Sequence, residues 1–296
     1  MPVQRIKLGS YNVNNFFDRF DDPYNWADDR WGARRTKPKS LSDIFSVGAR
    51  LREDAPDVLA LQEVENKGTL YEFNVVQLGG HFKDEVVIEG NDPRGIQLGL
   101  ASTLPLGQVV SYQFLRDFGD SRRGKIFSRD LLEVEILDPE TFVPVLTVFN
   151  AHLKSKYIDP SLRGAERLEE QQRSDHRRTR QAMAMAQIIQ RRFPNPRRAF
   201  FAVMGDFNDT PDSAALAPLL NNPQLGLFDV LTTLPENRRW THYWSEQKQR
   251  SQIDYILLSE PLRQRMVEGS AHVVHRGHTT GSDHHPLYVD IWVGWD

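Results

Sequence analysis

The sequence predicts a mixed α/β fold that forms a single domain over residues 1–296. Short apolar runs with strand character recur along the chain, and helical patterns separate some of them. Neither a fixed-period repeat nor a Pro/Gly/Ser-rich linker divides the chain. With 39% hydrophobic residues among 296, length alone permits one large core or two modest ones, and the missing linker favours one.

The predicted strands are apolar runs rich in valine, isoleucine and leucine. In chain order they cover residues 6–13, 58–61, 95–101, 131–137, 143–150, 199–204, 253–258 and 287–293. Strands are therefore expected along the whole chain.

Helical patterns lie between some of these strands. The first covers residues 40–54, where Ser40 or Ser42 can act as the N-cap. Its apolar residues fall on one side: Ile44, Val47 and Leu51.

A second helical pattern covers residues 168–192. At about 100° per residue, its arginines cluster on one side and its apolar residues on the other. The arginines are Arg173, Arg177 and Arg180, and the apolar residues are Ala182, Met185, Ile189 and Phe193. We interpret this pattern as a solvated arginine face over an apolar seam, which is ordinary for a surface helix; a track for a polyanion is the alternative.

The composition excludes several kinds of chemistry. The chain has no cysteine, which excludes disulfides, thiolate metal sites and a cysteine nucleophile, so a metal would need oxygen or imidazole ligands. A net charge of -3 gives no global attraction for nucleic acid, so a polyanionic substrate would need a local basic surface.

No apolar stretch is long enough for a membrane span, and residues 1–4 do not resemble a signal peptide. We expect a soluble protein, cytoplasmic as given, or secreted if an export signal was removed.

Polar side chains end several of the predicted strands. Asp206 and Asn208 follow the run 199–204, and the two-residue period of a strand places both on one face. The remaining candidates of this kind are Asn12, Glu63, Asn150, His152, Asp254, Asp283 and His284. Taken singly, an acid at a strand end is more often a turn former or a helix cap, and a lone histidine is usually a surface residue.

Six motifs together resemble the endonuclease/exonuclease/phosphatase superfamily, and within it the deoxyribonuclease I and exonuclease III branches and bacterial nuclease-like members. In order they are Tyr11-Asn12-Val13, Leu61-Gln62-Glu63-Val64, Asn150-Ala151-His152-Leu153, Gly205-Asp206-Phe207-Asn208, Ile253-Asp254-Tyr255 and Ser282-Asp283-His284. The resemblance implies a four-layer α/β/β/α sandwich with two central mixed, mostly antiparallel sheets. It also implies a site at one rim of the sheets. The chain departs from these members at Asn14, where a glutamate is common.

The resemblance implies a divalent metal held by Glu63 as the principal ligand, with Asn12 and Asp283 beside it. Mg²⁺ suits such oxygen ligands, and Mn²⁺ or Ca²⁺ are alternatives. Asp206 is expected to orient or deprotonate the attacking water, and Asn208 to hold that water or a phosphate oxygen.

Two histidines complete the implied catalytic set. His284 is expected to pair with Asp254, which would fix its tautomer and raise its pKa. His152 is expected to face the phosphate.

The resemblance also implies that Arg129, Arg94 and Asn150 bind substrate, Arg129 at the position of a phosphate-contacting arginine of the deoxyribonuclease I branch. The planar fork of Arg129 suits phosphate oxygens, whereas Arg94 has the alternative of a turn arginine bonded to Asp92. Lys154 and Lys156 follow His152 and could attract an anion, although exposed loop lysines are common.

Two segments mix aromatic and basic residues, 16–39 and 238–244. For both, packing of a loop onto the sandwich is favoured over contact with nucleic acid.

The leading hypothesis is a monomeric, divalent-metal-dependent phosphodiesterase that hydrolyses DNA, with RNA as a further substrate and with no obligate protein partner. The alternatives are a phosphatase or phospholipase-C-like hydrolase of small phosphate esters, and an inactive scaffold or binding protein.

Overall fold

A computed structural model describes residues 3–19, 37–116, 124–275 and 281–294. Most of the aromatic and basic segment 16–39 therefore lies outside the described residues. In chain order, the strands and helices are β1 (Gln4–Phe16), α1 (Leu41–Asp54), β2 (Val58–Val64), α2 (Lys67–Leu78), β3 (Asp84–Ile88), β4 (Gln97–Ser102), β5 (Leu106–Ser111), β6 (Leu131–Leu137), β7 (Pro144–His152), α3 (Gly164–Arg192), β8 (Phe201–Asp206), α4 (Ala217–Leu220), β9 (Phe228–Asp229), β10 (His242–Trp244), β11 (Gln249–Ser251), β12 (Asp254–Leu258), α5 (Glu260–Arg263), β13 (His272–Val273) and β14 (Leu287–Val293).

Two six-stranded sheets form the centre of the molecule. The first has the order β13-β14-β1-β2-β4-β3, and the second has the order β5-β6-β7-β8-β12-β9. Each sheet contains one parallel pair, β1 with β2 and β7 with β8, and its other neighbours are antiparallel. The predicted mixed, mostly antiparallel sheets are confirmed.

The two sheets pack face to face through a dry apolar layer. Leu8 and Val58 of the first sheet belong to the same buried cluster as Val148 and Met204 of the second. Each of these side chains stabilises the fold by about 1.5–3 kcal/mol when fully removed from water. The inner faces of the sheets therefore form the main core.

Helices cover the outer faces and complete four layers. Val47 and Leu51 of α1 pack with Leu59 and Leu61 of β2 on the outside of the first sheet. On the outside of the second sheet, Ala182, Met185 and Ile189 of α3 pack with Phe149 of β7 and Phe201 of β8. The predicted α/β/β/α sandwich and the apolar seam of the long helix are both observed.

Local signals set the bounds of α1. Ser40 is the N-cap, and its hydroxyl accepts a hydrogen bond from the Asp43 amide at 3.1 Å. The helix ends at Asp54, and its C-cap residue Ala55 has a left-handed φ of 42°.

Among the described residues, no helix is both long and apolar enough to cross a membrane.

The long helix α3 is tied to the second sheet by a buried arginine. The side chain of Arg178 is 0% exposed, and its Nε lies 2.8 Å from Oδ2 of Asp209, which is 1% exposed. Arg178 Nη1 also donates to the carbonyl of Lys154 at 2.8 Å. Since a buried charge is costly unless it is paired, this ion pair requires α3 and the loop after β8 to stay in register.

We expect Arg178→Met to lower the free energy of unfolding by about 3–5 kcal/mol, because it leaves a buried carboxylate without its closest buried partner. Urea denaturation followed by circular dichroism measures the change. Arg173→Met on the same helix is the control, because Arg173 is exposed and pairs with Glu169 and Glu170 at the surface. Equal stability of the two variants would contradict the anchoring role of Arg178.

The same ion pair predicts an acid dependence of stability. Burial would raise the pKa of Asp209, but hydrogen bonds from Lys156 and Ser213 and the charge of Arg178 hold it below its ordinary value. The contribution of a carboxylate with a lowered pKa is complete above its unfolded pKa and is lost as pH falls through its folded pKa. The stability difference between wild type and Arg178→Met should therefore be largest at neutral pH and shrink in acid. A difference that grows on acidification would refute this origin.

Candidate functional site

The candidate site lies at one rim of the sandwich, where the carboxyl ends of the parallel strands meet. Asn12 lies near the end of β1, Glu63 near the end of β2, His152 at the end of β7 and Asp206 at the end of β8. Since both strands of a parallel pair end at the same edge, the topology brings these side chains to one place. The antiparallel strands β12 and β14 begin at this rim, which adds Asp254, Asp283 and His284.

Hydrogen bonds join the two sheets at this rim. Asn12 Nδ2 donates to Asp206 Oδ2 at 2.9 Å, which links β1 to β8. His152 Nε2 lies 3.3 Å from Asp206 Oδ2 and 3.9 Å from Glu63 Oε1. The predicted residues from four separate segments are thus within a few ångströms of one another.

His284 and Asp254 form the pair that the sequence predicted. His284 Nδ1 lies 2.9 Å from Asp254 Oδ2, and the hydroxyl of Thr241 donates to the same oxygen at 2.7 Å. Burial alone would lower the pKa of His284, but the charges of Asp254 and Asp206 raise it well above its ordinary value. The raised pKa favours the imidazolium, in which Nδ1 donates to Asp254 and Nε2 lies 3.8 Å from Asp206 Oδ2.

Asp206 is suited to accept a proton at neutral pH. Its burial, and next the charge of Asp254 directly opposite on β12, raise its pKa to about 7, against the lowering effect of His284. A general base is most effective when its pKa is near the working pH.

His152 is a neutral imidazole. Burial lowers its pKa well below the ordinary value, and Arg129 and Arg94 lower it further. Its contact with Asp206 is therefore not an ion pair. A neutral imidazole in this place can donate a hydrogen bond to an oxygen anion without adding a full charge.

Three residues at the rim have an unusual backbone conformation. The φ angles of Glu63, Asn14 and Asn15 are 66°, 50° and 49°, in the left-handed region that non-glycine residues rarely adopt. In this geometry the amide of Asn15 donates to Glu63 Oε2 at 2.8 Å, and Asn14 Nδ2 donates to Asp283 Oδ1 at 2.8 Å. The strained backbone therefore orients both carboxylates that were predicted to hold a metal.

The donor chemistry of this rim fits a divalent cation. Glu63, Asp283 and Asn12 offer the hard oxygen atoms that Mg²⁺, Mn²⁺ and Ca²⁺ prefer. Acids and imidazoles also converge beside them: ligand atoms of Asp206, Asp254 and His284 lie within 4.8 Å of one another, as do those of His242, Asp283 and His284.

Asn208 is fixed beside Asp206 by its own backbone. Its φ is 54°, its amide donates to Asp206 Oδ1 at 2.8 Å, and its Nδ2 lies 3.2 Å from the carbonyl of Leu153. This conformation places the carboxamide of Asn208 at the rim, next to Asp206, where the sequence predicted it.

The two predicted arginines share one acid. Arg129 is almost fully buried, its Nε lies 3.1 Å from Asp92 Oδ2, and its Nη1 donates to the carbonyl of Leu153 at 2.8 Å. Arg94 makes the contact that the turn alternative predicts, since its Nε and Nη2 donate to Asp92 at 3.0 and 3.1 Å. Both lie near His152, and their contact with substrate stays a prediction.

Asn150 lies between the sheets. Its Nδ2 donates to the carbonyls of Leu61 at 2.9 Å and Gly99 at 2.8 Å, and its Oδ1 accepts from Gln62 Nε2 at 2.8 Å. The side chain is 0% exposed. These contacts tie the second sheet to the first and do not place Asn150 with the rim residues, so the structure gives the predicted substrate contact no support.

Sequence reasoning missed two site residues on the segment 238–244. Thr241 holds Asp254, and His242 Nε2 lies 3.5 Å from Asp283 Oδ2. Trp240 packs as expected, stacked on His275 with 3.9 Å between ring centroids. Residues 238–244 show no hydrophobic periodicity in the sequence, although His242–Trp244 form the short strand β10. The available signal was therefore their mixture of aromatic and basic residues.

A two-sheet sandwich whose rim gathers acids, amides and imidazoles in this order defines a hydrolase of phosphoric esters. Residues 9–284 match the model of the endonuclease/exonuclease/phosphatase family. The chain belongs to this family, whose members hydrolyse phosphoric esters. A search of curated proteins found no match.

Solved structures share the fold at low identity. The human Nocturnin catalytic domain with bound sulfate anion has a TM-score of 0.63 and 15% identity over 98% of this chain and 95% of that one. An AP endonuclease from Archaeoglobus fulgidus has a TM-score of 0.59 and 18% identity over 96% and 98%. D. rerio TDP2 complexed with single strand DNA product has a TM-score of 0.60 and 18% identity over 97% and 98%.

We expect Asp254→Asn to lower turnover by about 10² or more and to move the alkaline limb of the pH–rate profile to lower pH. The carboxylate that raises the pKa of His284 is lost, so the imidazolium deprotonates at lower pH. Initial rates on a small phosphodiester across the pH range measure both effects. Asp159→Asn, at an exposed aspartate, is the matched control. An unmoved alkaline limb would separate His284 from the activity.

Proposed function

We propose that the protein is a divalent-metal-dependent phosphodiesterase that hydrolyses DNA by attack of an activated water on phosphorus. The observation that carries this proposal is the position of the buried His284 side chain, whose Nδ1 lies 2.9 Å from Asp254 Oδ2 and whose Nε2 lies 3.8 Å from Asp206 Oδ2. A charged Nε2–H at a rim whose oxygen ligands would hold a divalent metal can stabilise the negative charge that develops on a phosphodiester in its transition state.

The residues divide the work as follows. Asp206, with a pKa of about 7, accepts a proton from the attacking water as the water oxygen bonds to phosphorus, the P–O bond to the departing ester oxygen breaks, and that oxygen takes a proton from solvent. Asn208 holds the attacking water or a phosphate oxygen. His284 donates from Nε2 to a phosphate oxygen, and neutral His152 donates a second hydrogen bond. Glu63, Asp283 and Asn12 would hold the metal, which when bound supplies positive charge to the phosphate.

Two observations support DNA as the substrate. The structural relatives include an AP endonuclease and D. rerio TDP2 complexed with single strand DNA product. In addition, Arg94, Arg129 and Lys154 lie beside the rim and supply the local positive charge that a chain with net charge -3 needs. The complete set of catalytic acids and imidazoles argues against an inactive scaffold.

We further propose that residues 1–296 form a single domain that works as a monomer. The family match extends over residues 9–284, and both sheets contribute to one buried core. One chain also supplies every rim residue named above.

A substrate panel tests the function. We expect purified protein with Mg²⁺ or Mn²⁺ to cleave plasmid and single-stranded DNA and to lose this activity when EDTA is added. RNA is tested in parallel. His284→Ala should lower turnover by about 10² or more, while His176→Ala, at an exposed histidine of α3, should keep it.

Intact DNA together with phosphate release from a small monoester would refute the nuclease proposal and favour the phosphatase alternative. Cleavage of a choline phosphodiester headgroup alone would favour the phospholipase-C-like alternative. Full activity in EDTA would refute metal dependence.

We expect Glu63→Gln to raise the metal concentration needed for half-maximal activity by about tenfold or more, because an amide is a weaker ligand than a carboxylate of the same size. Titration of Mg²⁺ and Mn²⁺ at fixed substrate measures the change. Glu72→Gln on α2 is the control. An unchanged titration of the Glu63 variant would exclude it as a ligand.

A further inference from the structure

One flank of the site begins where β7 ends. The carbonyl of Leu153, directly after His152, accepts hydrogen bonds from Arg129 Nη1 at 2.8 Å and Asn208 Nδ2 at 3.2 Å. The loop that follows Leu153 therefore leaves the rim beside Arg129 and Asn208, two residues proposed to contact the substrate.

Hydrogen bonds fix the start of this loop against α3. The carbonyl of Lys154 accepts from Arg178 Nη1 at 2.8 Å, and the carbonyl of Ser155 accepts from Ser174 Oγ at 2.8 Å. Arg177 lies three residues after Ser174, so it is on the same side of the helix. Lys154 and Arg177 are thus held on one surface that continues from the rim.

Cations outnumber acids on this surface. Each of two acids with little exposed surface is shared by two cations, Asp92 by Arg94 and Arg129, and Asp209 by Lys156 and Arg178; Arg178 also pairs with Asp175. The protein as a whole is acidic, with a net charge of -3, so this excess is local.

Lys154 and Arg177 add to the excess. Burial, and then the charges of Arg129 and Arg177, lower the pKa of Lys154, against the effect of Glu170, which also pairs with Arg173. Burial lowers the pKa of Arg177 as well. Like charges held this close repel one another, and a bound polyanion would relieve the repulsion.

An exposed aromatic ring stands in the same loop. The side chain of Tyr157 is 70% exposed, and its amide donates to Ser155 Oγ at 3.1 Å, which fixes the backbone below the ring. Proteins bind single-stranded nucleic acid with this combination, in which aromatic rings stack on bases and cations follow the phosphates.

We infer that the basic flank, defined as Lys154, Tyr157 and Arg177, binds a single-stranded segment of nucleic acid beside the phosphate that is cleaved. The inference rests on the proposed function and names its substrate class. Lys154 and Arg177 contact the phosphates, and Tyr157 stacks on one base. The strand must be unpaired here, because a base inside a duplex offers no free face to the ring.

The ring is tested first. We expect Tyr157→Ala to raise KM for a single-stranded oligothymidylate by about 5- to 100-fold relative to KM for bis(p-nitrophenyl) phosphate, with a smaller effect on kcat. Tyr157→Phe keeps the stacking face and should restore the wild-type ratio. Tyr71→Ala is the matched control, since Tyr71 of α2 is also exposed, at 60%.

The charges are tested by salt. Each phosphate contact on a single strand contributes about 0.7 to the slope of log affinity against log salt. The double variant Lys154→Gln and Arg177→Gln should therefore flatten the slope for the oligonucleotide by about 1.4. Lys83→Gln is a control, because Lys83 is an exposed lysine whose Nζ donates to a nearby backbone carbonyl, as Lys154 does.

Binding in EDTA, measured by fluorescence anisotropy of the labelled oligonucleotide, separates this inference from the proposed function. Weaker binding by the flank variants supports the inference even if no DNA is cleaved. Cleavage of DNA with wild-type KM, salt slope and binding in all flank variants would overturn the inference and leave the nuclease activity in place. Wild-type protein that binds duplex more tightly than single strand would also overturn it.

Discussion

The site depends on one imidazolium that lies beside two buried carboxylates. Asp206 and Asp254 stand directly opposite each other on β8 and β12, and each is 1% exposed. Two carboxylates this close and this buried repel one another when charged, so a buried cation beside them stabilises the rim. His284 supplies it from the loop before β14, a strand of the other sheet. The two sheets must therefore pack together for the charge of His284 to balance the carboxylates of Asp206 and Asp254.

Residues with a strained backbone conformation orient the carboxylates of the site. Glu63, Asn14, Asn15 and Asn208 have positive φ angles, each at a cost of about 1–3 kcal/mol. An amide or carboxamide of each of the three asparagines donates to a site carboxylate, one of which is Glu63 itself, so this backbone fixes the direction of these oxygens before substrate arrives. Preorganisation of this kind lowers the barrier, because no reorientation is needed during the reaction.

The sequence predicts what lies in periodic segments. β6 and β14 match the runs 131–137 and 287–293, and acids that end such runs were found at the rim. The edge strands β3 and β5 were missed, because their side chains are only partly buried and their pattern is weak. Thr241, His242 and the pair of Arg178 with Asp209 depend on contacts between distant irregular segments. Periodicity carries no information about such contacts.

Substrate choice must come from the loops around the rim. In the proposed reaction, attack on a phosphate ester requires the same base, cation and oxygen ligands whatever groups are esterified, so the proposed roles of Asp206, His284 and Glu63 would not discriminate among substrates. Structures with 15–18% identity to this chain share its fold, so its two-sheet frame tolerates extensive change. Residues beside the rim that make no contact with the phosphorus are free to vary. Tyr157, with its exposed ring, is such a residue, and we propose that it contacts the base next to the cleaved phosphate.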